Sequence, residues 1–129
     1  MRGSLRTRLF AASGEDTYYG LLFDVGWPDA PHRALRNSTV EEWERAGSSA
    51  PGERPGEGES VATRANGGAI PRYASSTPSA GMEGDIEAIS MWAGQGVGLV
   101  THAQPAADIV AELVADAERI LHELGARAR

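Results

Sequence analysis

Along this chain the apolar positions change period several times, and each change marks a predicted element. In residues 17–25, TYYGLLFDV, the side chains of Tyr19, Leu21, Phe23 and Val25 alternate with their neighbours, which predicts a half-buried strand. Turn residues follow in 26–31, and residues 33–36 extend again. Ser38 or Thr39 then caps a helix running to about Ala46, with Glu41 and Glu42 in its first turn, where the helix dipole favours them. Residues 47–59, GSSAPGERPGEGE, have no periodicity and read as a loop that buries no core. Residues 60–73 carry two short extended runs around Asn66-Gly67, a strong hairpin signal, and Pro71 confines the second run to a sheet edge. Residues 74–84 are another irregular loop, and residues 1–16 are either the tail of a helix or frayed chain.

The clearest element comes last. Pro105 opens a helix with Asp108 and Glu112 in its early turns, and Ile109, Val110, Leu113, Val114, Ala117, Ile120, Leu121 and Leu124 form one broad apolar stripe. Gly125 is the expected stop. Such a stripe covers a sheet or barrel, or pairs with a partner, and the sequence does not choose between them. Few strands are visible for these helices to cover, so the chain is expected to dock on something else or to be incomplete.

The stretch 84–100, GDIEAISMWAGQGVGLV, is harder to read. Ile86, Ile89, Ala93, Val97 and Val100 stand three and four apart, as on one helical stripe. Yet Gly94, Gly96 and Gly98 would together cost such a helix on the order of 3 kcal/mol. Ser90, Gly94 and Gly98 would form a strip bare of side chain, suited either to tight helix packing or to the approach of a flat ligand or another backbone. A dinucleotide fingerprint is excluded: Leu99 stands where the third glycine is required, and no strand precedes.

Composition narrows the function classes. A length of 129 residues suits one domain, and a formal net charge of −6 disfavours a nucleic-acid surface. All 12 basic residues are arginine, which reads as codon bias rather than chemistry. Cysteine is absent, which removes disulfides, thiolate metal sites and cysteine nucleophiles. His32, His102 and His122 share no metal-ligand spacing and read as surface or helix-end residues. No run is long and apolar enough for a membrane span or a signal peptide, so a cytoplasmic protein with no membrane partner is expected.

Three ordered blocks carry a family resemblance: RALRNSTVEEWERAG at 33–47; the 51–59 loop followed by Ala62-Thr63-Arg64 and Pro71-Arg72-Tyr73; and GDIEAISMWAGQGVGLV at 84–100 with PAADIV behind it. Together they resemble the C-terminal third of the nitronate monooxygenase (2-nitropropane dioxygenase) family, from about Leu9 to Leu124. The resemblance implies an α/β chain, the C-terminal fragment of a TIM-type flavin barrel. Residues 1–16 would be an N-terminal segment, 17–83 the family's small inserted α/β domain, and 84–129 the closing helices. It implies FMN as cofactor, with an alkyl nitronate and oxygen as substrates and a carbonyl compound and nitrite as products. Gly94 and Gln95 would lie at the flavin and Trp92 at the substrate pocket, where family members often carry tyrosine; the change removes a phenolic donor. Trp92 is equally readable as a core residue, and Gln95 as a capping or buried amide.

The family's glycine-rich phosphate loops and its catalytic histidine have no counterpart in this sequence, and neither His32 nor His102 takes that role. No catalytic residue is therefore assigned, and the chain alone is expected to be inactive. The other readings are a docking module or half of a split flavoenzyme that joins a separately encoded barrel, a fragment of a flavin-dependent enoyl-thioester reductase, and a non-functional remnant.

Overall fold

Asn37 starts the best-defined local structure. Its extended backbone and side-chain oxygen, which accepts from the Val40 N–H at 3.1 Å, make it the cap of a helix over Ser38–Arg45. The cap thus lies one residue before the serine expected to hold it. In the computed structural model, which describes residues 2–127, this helix is α2. Ahead of it come α1 (Arg2–Ala11) and the antiparallel pair β1 (Thr17–Gly20) and β2 (His32–Leu35), with Thr17 opposite Leu35 and Gly20 opposite His32. After it come β3 (Ser60–Thr63), β4 (Ala69–Pro71) and the two-residue β5 (Glu83–Gly84), an antiparallel sheet in the order β4-β3-β5. The last helix, α3, spans Ala106–Arg127. The architecture is a small mixed α/β body carrying one long terminal helix.

The hairpin forms around Asn66 as expected. Asn66 Oδ1 accepts from the Gly68 N–H at 3.1 Å, and Gly67 adopts a φ of +85° that a side chain would oppose. Pro71 lies on the edge strand, where its missing N–H breaks no ladder.

Two expected elements take a different form. The alternation over 17–25 does not continue as a strand: β1 ends at Gly20, where the Tyr18 ring folds back into the space a Cβ would need. Leu22 and Phe23 are then both buried, while Tyr19 (62%) and Leu21 (47%) face solvent. The second correction concerns residues 84–100, which form no long helix. They hold two short 3-10 turns, Ile86–Ala88 and Gln95–Leu99, joined by an extended piece lying along β2. Leu35 N–H donates to Met91 O at 2.8 Å, Ala93 N–H donates to Arg33 O at 3.2 Å, and Ala34 bridges to Trp92. Pairing with β2 gives the backbone partners it lacks as a glycine-rich helix, and the glycine cost explains which arrangement prevails.

Three apolar clusters fill the body. Ile70, Ile86 and Ile89 centre one, and Phe23, Val40 and Tyr73 centre another. Leu35, Met91 and Val97 form the third, against Leu9 and Ala12 from the N-terminal segment. Asn37 Nδ2 donates to Ile89 O at 2.9 Å and Thr39 Oγ1 to Ala88 O at 2.7 Å, tying the start of α2 to the first 3-10 turn. Helix α3 contributes nothing to these clusters: none of its described residues is buried. It also runs through Gly125 rather than stopping there. No helix among the described residues is long and apolar enough to cross a membrane.

Candidate functional site

The segment that pairs with β2 also sets the places of Trp92, Gly94 and Gln95. Trp92 is half-buried against the Phe23–Tyr73 cluster. Its ring meets His32 at 4.7 Å and Trp27 at 6.2 Å, both edge-to-face. His32 is held on both sides by backbone: its Nε2 accepts from Phe23 N–H at 3.2 Å, so its Nδ1 is the donor to Ala30 O at 2.9 Å. With both nitrogens engaged it orders the 23–32 connection and has no lone pair free for base catalysis. Gly94 and Gln95 open the second 3-10 turn and are exposed. The Gln95 backbone carbonyl rests near Gly14, where an added Cβ would approach it to 3.0 Å.

The structure therefore brings Trp92, Gly94 and Gln95 into one short stretch, with Trp92 facing the body and the other two facing outward. A Cβ added at Gly94 or Gly96 would meet nothing within 4 Å, so none of the described residues closes over them. A flavin ring needs two walls and its phosphate needs a cradle of donors, and these residues supply one open edge. By themselves they do not fit FMN.

A second constellation, which the sequence pattern did not reveal, is better built. Arg54, inside the glycine- and proline-rich loop expected to bury nothing, is only 6% exposed. Its Nη1 donates to Leu22 O at 3.1 Å and to Asp24 Oδ1 at 2.8 Å, and its Nε donates to Glu57 Oε1 at 3.0 Å. The guanidinium also lies 4.4 Å from the Tyr73 ring centre. Tyr73 is itself buried at a φ of 69° and donates its hydroxyl to Pro55 O at 2.8 Å. Burial alone would push Arg54 down, but the hydrogen bonds it donates to Glu57 and Asp24 outweigh it and hold the guanidinium above its ordinary value. The Arg54 hydrogen bond in turn holds Glu57 below its ordinary range, and burial raises the phenol of Tyr73. Every guanidinium nitrogen of Arg54 is engaged, with four of its five N–H donors used inside the chain, so its role is to fix the loop. Only its charge and isolation in a Gly/Pro segment could have signalled it in the sequence.

Catalytic groups are sparse. Thr101 Oγ1 and His102 Nδ1 lie 3.1 Å apart, but both residues are exposed and no hydrogen bond among the described residues orients the other ring nitrogen. Among the described residues no group of three His, Asp or Glu is placed to hold a metal ion.

One further surface stands out. On α3, Val110 (60%), Leu113 (66%), Leu121 (69%) and Leu124 (56%) are exposed along one stripe, and Leu99 (87%) adds to it before the helix. A cleft of about 350 Å³ between residues 99–104 and the first turns of α3 is walled by Leu99, Ile109 and Leu113. Comparison with protein-family models, with curated proteins and with solved structures finds no match to this chain.

Proposed function

We propose that this chain is the C-terminal part of an FMN-dependent nitronate monooxygenase, working only where α3 and the 92–100 turn close against a TIM-type barrel supplied by further polypeptide. The observation that carries the reading is the uncovered α3 stripe: a broad apolar helix face with no core of its own is what a helix from a barrel's outer ring presents once its sheet is missing. The resemblance in the 33–47, 51–73 and 84–110 blocks supplies the identity of that barrel. The open edge at Gly94 and Gln95, beside the half-buried Trp92, is consistent with one wall of a pocket whose remainder comes from elsewhere. FMN, held by the barrel, would supply the redox chemistry; no step is assigned to residues of this chain.

The exposed stripe equally suits a docking module for another partner, which is the second reading. The experiment separates them. The purified chain is incubated with FMN, passed through gel filtration, and assayed for nitrite release from an alkyl nitronate, alone and with the barrel portion of a nitronate monooxygenase. The expected result is no retained flavin and no nitrite alone, with co-elution and protection of α3 amides when the barrel is present. Flavin retention and turnover by the chain alone would overturn the proposal. Failure to co-elute with the barrel would overturn it too and leave the docking module.

A further inference from the structure

Four arginines of the body are matched to carboxylates: Arg8 to Glu87, Arg36 to Glu44, Arg54 to Asp24 and Glu57, Arg72 to Glu42. Arg64, half-buried at the end of β3, is not. Its Nη2 donates to Ser76 Oγ at 2.6 Å, while its Nη1 is buried with no hydrogen-bond partner. A buried guanidinium N–H left unsatisfied is costly, and among the described residues only this nitrogen and Arg72 Nε are so placed. Arg64 forms one side of an open cleft of about 580 Å³, and the surroundings there are donors. Ser75, Ser76, Thr77 and Ser79 bring four hydroxyls, Asn66 brings an amide, and no carboxylate lines the cleft. Asn66 uses its oxygen on the Gly68 N–H, which leaves the amide nitrogen to donate. Ser76 Oγ accepts from Arg64, which leaves its own proton to donate.

We propose that this cleft, between the β3–β4 turn and residues 75–79, binds a phosphate group. A carboxylate would be satisfied by the guanidinium alone, whereas a phosphate has three peripheral oxygens that can use the surrounding hydroxyls as well. The cleft is open, so the group can be carried on a larger organic molecule. The site shares no residue with Trp92, Gly94 or Gln95, and the inference stands independently of the barrel proposal.

The test follows backbone amide and Arg64 side-chain NMR signals of the full chain at constant ionic strength, titrating inorganic phosphate, glycerol 3-phosphate and acetate. Saturable shifts centred on Arg64 and residues 75–79 with phosphate, at least tenfold weaker with acetate, are expected. Tighter binding of glycerol 3-phosphate would show that the phosphate is carried on an organic body, and tighter inorganic phosphate that it is free. R64M should weaken phosphate binding about tenfold or more, and R64K should restore part of it. Since the side chain's only hydrogen bond among the described residues is to Ser76, both variants should keep the amide spectrum of the remaining body. No saturable shift, equal shifts with acetate, or undiminished binding by R64M would each overturn the proposal.

Discussion

Arg54 does at residue scale what a hydrophobic core cannot do in a segment made of glycine, proline and glutamate. Its side chain is 4% exposed and bonds Asp24, Glu57 and the Leu22 carbonyl, so the 47–59 loop is anchored by one cation. Replacing it by alanine removes the anchor but leaves two carboxylates that still reach water, so R54A is expected to cost about 2–3 kcal/mol, less than the roughly 3–5 kcal/mol of a fully buried pair broken on one side. Urea unfolding of R54A against wild type measures this, and a loss under about 0.5 kcal/mol would show that the loop does not need the anchor. The same contact sets an acid limb. Glu57 is held below its ordinary 4.5, chiefly by the Arg54 hydrogen bond. A depressed carboxyl stabilises the fold above its unfolded value and loses that contribution as pH falls through the folded one. Stability should therefore decline below about pH 4.5, and E57Q should flatten part of that decline; melts between pH 7 and pH 3 check it.

At the scale of elements, glycines separate the places where the backbone is committed from those where it is free. Gly84, in β5, has a φ of +106°, and a Cβ there would stand 2.7 Å from Val61 O and 3.0 Å from Ala62 Cα, both backbone. G84A should therefore destabilise by about 3 kcal/mol or more, because neither the dihedral nor the neighbouring strand can yield. Gly94 and Gly96 meet nothing, so G94A and G96A should leave the melting temperature of the isolated chain within about 1–2 °C of wild type. Thermal melts of the three variants give both answers, and a large loss in G94A would mean the open edge is closed by this chain after all. The same glycines explain what the sequence could and could not disclose. Helices α2 and α3, the Asn66 hairpin and edge-strand Pro71 were legible because each follows from local backbone chemistry. The 84–100 segment was not, since an apolar spacing of three and four imitates a helix, while the partner that wins its backbone, β2, lies some sixty residues earlier. Trp92, Gly94 and Gln95 were found as neighbours, but their exposure depended on that pairing. Arg54 and Arg64 are invisible to periodicity altogether.

For the whole molecule, the arrangement predicts a division of labour between the body and α3. The buried clusters lie within residues 5–97, and α3 buries none of its described residues, so the stability of the body should not depend on the α3 stripe. A helix without tertiary packing lacks the main source of helical stability in proteins, and the amides of α3 should exchange far faster than those of β3 or α2. The exposed Leu113 and Leu121 should also bind an apolar dye and drive self-association as concentration rises, since a contiguous apolar patch of this kind rarely stays bare. The double variant L113D/L121D tests both halves of the argument together. It should abolish dye binding and concentration-dependent sedimentation while shifting the melt of the body by no more than about 1–2 °C, the size expected for surface substitutions. If the melt instead falls by 10 °C or more, α3 packs on the body and the stripe belongs to the core. Unchanged dye binding and association would place the sticky surface elsewhere on the body, and the case for a partner covering α3 would fall with it.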